Sequence, residues 1–80
     1  MNHEQIIAII KEIANEKKIT VDWNYPNFLT TPFKQLGIDS LDLFDIVSTL
    51  EKRLKIRFND ETLMTLTTIE DLLNAIKTLI

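Results

Sequence analysis

Four stretches of the chain repeat their apolar residues at helical spacing, and one long gap between them repeats nothing. From Asn2 to about Lys18, Ile6, Ile9, Ile10, Ile13 and Ala14 recur every three or four positions, which places them on one face of an α-helix. Asn2 followed by Gln5 has the spacing of a capping box. A second helix is predicted after Asp39, a good N-cap, with Leu43, Ile46, Val47, Leu50 and Leu54 facing inward. KIRF at residues 55–58 alternates but has no partner run to pair with, so it reads as an extended connection. Asn59 caps a brief third helix carrying Leu63, Met64 and Leu66. Thr67 with Glu70 then reads as a second capping box. The fourth helix follows, and its Ile69, Leu72, Leu73, Ile76, Leu79 and Ile80 form a wide apolar stripe reaching the C-terminus.

Between the first two helices, from Ile19 to Leu36, prolines at 26 and 32 interrupt any helix. Val21, Trp23, Tyr25, Phe28, Leu29, Phe33 and Leu36 are scattered along it as apolar anchors, so the segment is expected to be a long ordered connection. The pattern as a whole predicts an all-α fold. It is a small four-helix bundle, three longer helices plus one short, with a long ordered loop between helices one and two.

Composition narrows the function more than the fold. Eighty residues suffice for a single domain spanning 1–80, and the 45% hydrophobic content is that of a folding chain. With no cysteine there is no disulfide, no thiolate nucleophile and no zinc site of the usual kind, and His3 is the only histidine. A reducing cytoplasm and a monomer are expected. MNHEQIIAII carries an acidic residue and no Lys or Arg before its short apolar run, unlike a signal peptide, and no run reaches the length of a membrane span. A net charge of −3 disfavours nucleic acid and favours partners with basic surfaces.

One feature resists the bundle reading. At roughly 100° per residue, Leu41 projects almost opposite the inner face of helix two, and Phe44 lies on its flank. With Ser48 one turn on and Asp42, Asp45 and Glu51 around them, they outline an apolar spot with a negative rim, the composition of a docking surface. Ser40 stands at the first helical position, where outward amides and the helix dipole favour an esterified phosphate, although Asp39 and Asp42 oppose it. Gly37, the only glycine, would free the turn that enters the helix. A serine hydrolase does not fit, because the G-x-S-x-G elbow is absent and His3 alone could act as base. Asp39, Asp42 and Asp45 do not follow a calcium-loop spacing, so no metal site is expected.

Phe33, Leu36, Gly37, Ile38, Asp39, Ser40, Leu41 and Asp42 resemble the F-x-x-L-G-x-D-S-L-D segment of the acyl carrier proteins. Asn59, Asp60 and Glu61, then Thr67, Thr68 and Ile69, fall where that family starts its third and fourth helices. The resemblance implies that the chain catalyses nothing itself. It implies that Ser40 accepts 4'-phosphopantetheine from coenzyme A through a separate phosphopantetheinyl transferase, and that the arm's thiol carries acyl groups for fatty-acid or polyketide-type synthesis. Asp39 would help to position the transferase's metal and basic groups. Leu41, Asp42, Phe44, Asp45 and Ser48 would dock acyl-loading, ketosynthase-type and other acyl-processing enzymes. Leu43, Ile46, Val47, Ile69 and Ile76 would line an acyl-chain cavity, and they equally suit a plain core. Lys52, Arg53, Lys55 and Arg57 depart from the acidic continuation usual in carriers of the primary pathway, and with the bulky Trp23, Tyr25 and Phe28 they point to an accessory pathway. The competing reading is an unmodified helical interaction module that docks through Leu41 and Phe44.

Overall fold

Each helix begins where a side-chain oxygen takes up a backbone amide that the helix leaves free. In the computed structural model, which describes residues 2–80, α1 spans His3–Glu16, α2 Ser40–Leu54, α3 Asp60–Thr65 and α4 Ile69–Leu79. Asn2 Oδ1 accepts the Gln5 amide at 2.9 Å and Gln5 Oε1 accepts the Asn2 amide at 3.0 Å, closing the expected capping box. α1 stops at Glu16, short of Lys18, because Lys18 turns left-handed at φ 59°. The Lys18 and Ile19 amides then bond back to the Asn15 and Ala14 carbonyls, which is the Schellman stop. α2 ends similarly: Lys55 is left-handed at φ 56°, and the Ile56 amide reaches the Glu51 carbonyl at 3.1 Å. The Glu51 carboxylate accepts the Phe58 amide at 2.9 Å, so one residue ties residues 55–58 down as an extended connection, as expected.

The core is all-α. α1 packs against α2 and α4, and Ile6, Ile10, Ile13, Ile46, Leu50, Leu72, Leu73 and Ile76 are buried between them. Arg53 spans α1 and α2 from the surface, its guanidinium 3.5 Å from Glu12 and 3.2 Å from Glu16. As a partly exposed pair this contributes at most about 1 kcal/mol; burial of the isoleucines and leucines holds the bundle.

The connection between α1 and α2 is ordered, and it contains a 3-10 turn at Phe33–Leu36 that periodicity did not indicate. Its ends are held by backbone bonds: Asp22 amide to Leu36 carbonyl at 3.1 Å, Phe33 amide to Thr67 carbonyl at 2.9 Å, and Glu70 amide to Leu29 carbonyl at 2.9 Å. Pro32 and Thr68 form an isolated antiparallel bridge. Trp23 and Phe28 meet edge to face at 5.8 Å, with the Lys11 ammonium 5.4 Å from the Trp23 ring centre.

Two expectations need correction. The α4 capping box is Thr68 with Asp71, one residue beyond Thr67 with Glu70, because the Thr67 carbonyl is committed to Phe33 and its residue stays extended with the bridge. Leu79 and Ile80 are exposed, since the stripe outruns the surface that α4 packs against. Met64 lies 86% exposed, and α3 buries none of its residues fully.

Gly37 closes the 3-10 turn at φ 93°, and a Cβ there would stand 3.0 Å from the Thr20 carbonyl oxygen. Gly37→Ala is expected to cost about 1–2 kcal/mol and Gly37→Asn less, because Asn tolerates the left-handed region better. Urea unfolding followed by Trp23 fluorescence measures both, and an unchanged midpoint for the alanine variant contradicts this.

Candidate functional site

Gly37 turns the chain, Ile38 buries its side chain, and Asp39 stops it in extended backbone at φ −89°, ψ −177°. Asp39 Oδ1 accepts the Asp42 amide at 2.8 Å, and Asp42 Oδ2 lies 3.5 Å from the Asp39 amide. This reciprocal cap fixes the first turn of α2. Ser40 is therefore the first helical residue, and it is exposed.

The serine stands where two grooves meet. One is a cleft of about 240 Å³ between α2 and α3, lined by Ser40, Leu43, Phe44, Val47, Leu63, Met64 and Leu66. The other runs over the 3-10 turn past Pro32, Phe33, Lys34, Ile38, Asp39, Leu43, Leu66 and Thr67. A hydroxyl at this junction can bear a long substituent that lies along either groove without entering the core.

Leu41 and Phe44 are 77% and 62% exposed, and Asp45 and Ser48 are exposed beside them, whereas Asp42 is half-buried. The structure thus brings together Ser40, Leu41, Phe44, Asp45 and Ser48 on one side of α2, with Asp42 at its edge, held in the cap. The five residues suggested for an acyl cavity separate into two groups. Leu43 and Val47 line the cleft, whereas Ile46, Ile69 and Ile76 are sealed in the core and line no groove described here. Met64, Leu63 and Leu66 supply the far wall instead. Six residues of α3 are too few for a hydrophobic period to show which side faces a neighbour. Among the described residues no three His, Asp or Glu side chains gather as metal ligands, and no helix is long and apolar enough to cross a membrane.

Residues 4–76 match the family described as phosphopantetheine attachment site. The chain belongs to the acyl carrier protein family. It is similar to the acyl carrier protein homolog of Mycoplasma pneumoniae, 40% identical over 80 residues that cover all of this chain and 94% of the relative. The homolog of Mycoplasma genitalium is 39% identical over the same span. An acyl carrier protein of Cylindrotheca sp. is 41% identical over 44 residues, 55% of each chain. No solved structure matches it significantly. Acyl carrier proteins are carriers and not enzymes, and their prosthetic group is covalently attached phosphopantetheine. An exposed hydroxyl at a helix start, opening onto two grooves, suits that group.

The exposed and buried sides of α2 in this carrier differ in what they contribute to stability. Leu41→Ala and Phe44→Ala are each expected to change unfolding free energy by about 0.5 kcal/mol or less, whereas Ile46→Ala costs about 2–5 kcal/mol. Thermal and urea unfolding compare the three, and a large loss for Leu41→Ala would place it in the core.

Proposed function

We propose that Ser40 is the residue that carries the 4'-phosphopantetheine arm. The observation that supports this most is the exposed Ser40 hydroxyl at the first position of α2, at the junction of the two grooves. A separate phosphopantetheinyl transferase would join the Ser40 oxygen to the phosphate of coenzyme A's pantetheine half; the pyrophosphate bond breaks, adenosine 3',5'-bisphosphate leaves, and the hydroxyl proton is lost. Asp39 orders the turn that presents the hydroxyl, through its bond to the Asp42 amide, and offers the transferase a negative charge.

Once attached, the arm supplies a thiol that holds acyl groups as thioesters. The apolar cleft formed by Leu43, Val47, Leu63 and Leu66 would shelter the acyl chain, with Phe44 and Met64 at its rim. Leu41, Asp42, Phe44, Asp45 and Ser48 form the docking face for the acyl-loading, ketosynthase-type and other enzymes of fatty-acid or polyketide-type synthesis. An apolar centre with acidic neighbours suits brief encounters with basic partners. Residues 1–80 would act as a single carrier domain, as a monomer in the cytoplasm.

Incubated with coenzyme A and a phosphopantetheinyl transferase of broad specificity, the chain is expected to gain the mass of one phosphopantetheinyl group, and Ser40→Ala to gain none. Absence of the adduct on the wild type, or its persistence on Ser40→Ala, would overturn the assignment.

A further inference from the structure

The outward side of α2 changes sign along its length. Asp45 and Lys52 are seven residues apart, so they point within about 20° of each other and stand about 10 Å apart along the axis. Lys52 also points within about 20° of Leu41, on the docking side. Lys52 and Lys55 are exposed, and among the described residues neither has a carboxylate in ion-pair range. The nearby cation Arg53 is instead taken up by Glu12 and Glu16. Glu51, the one acid in that stretch, spends its carboxylate on the Phe58 amide and is half-buried. Lys55 holds a left-handed conformation that glycine adopts more easily, at φ 56°, ψ 45°.

We propose that α2 presents a two-signed docking strip, acidic where it begins and basic where it ends, which fits partner enzymes that set carboxylates against Lys52 and Lys55 as well as cations against Asp42 and Asp45. This rests on the carrier reading of Ser40 and extends its docking face by about 6 Å along the helix, from Ser48 to Lys52. Charge complementarity carries it: two exposed ammonium groups without ion-pair partners, Lys52 on the docking side and Lys55 at the C-cap of α2, would repel a uniformly basic partner and attract one with an acidic patch.

The test uses the phosphopantetheinylated chain and the enzyme that loads acyl groups onto it in its own cells, at low ionic strength. The double variant Lys52→Glu, Lys55→Glu is expected to lower kcat/KM about tenfold through KM, with the loss shrinking as salt is added. Lys55→Gly should leave the unfolding midpoint unlowered and still weaken loading, a result that a purely structural lysine would not give. An unchanged or raised kcat/KM for the double variant overturns the proposal, and a rise is what a uniformly basic partner would produce. If wild-type chain gains no arm from coenzyme A, the carrier reading of Ser40 falls, and this proposal with it; that failure shows by mass before any loading is measured.

Discussion

The reciprocal bonds between Asp39 and Asp42 fix where α2 begins, and so place Ser40 at its first position. The cap can act there because Gly37, with its left-handed backbone packed close to the Thr20 carbonyl, delivers the chain at the required angle. Local turn chemistry thus sets the place of Ser40 at the start of α2.

The long connection contributes the frame on which this turn rests. Leu29 and Phe33 are joined through the backbone to Glu70 and Thr67, so the loop is fastened to the start of α4. Thr31, the buried polar residue of the segment, satisfies its hydroxyl on the Asn27 carbonyl at 2.8 Å. These bonds replace the ladder that regular structure would provide, which is how eighteen residues with no more than a 3-10 turn remain ordered.

Much of this was legible in the residues. Asn2, Asp39 and Asn59 are caps because their short side chains reach a backbone amide three positions on, a local geometry that spacing alone reveals. Leu41 and Phe44 were identifiable as exposed because fifteen residues of α2 give periodicity room to act. What could not be read depended on contacts distant in sequence. Thr67 and Thr68 are equally good caps locally, and only the bond from Phe33 selects between them. Ile46 and Val47 are neighbours of one chemical type, yet Val47 reaches the cleft and Ile46 does not, since the position of α3 decides it. The role proposed for the serine rests on family resemblance, because one hydroxyl at a helix start has no distinctive pattern of its own.

α3 closes the cleft yet has no fully buried residue of its own. Little apolar surface and a single turn or so of backbone bonding make such an element cheap to displace. The pocket beside Ser40 therefore has one stiff wall, α2, backed by the core, and one wall, α3, that little buried surface holds in place.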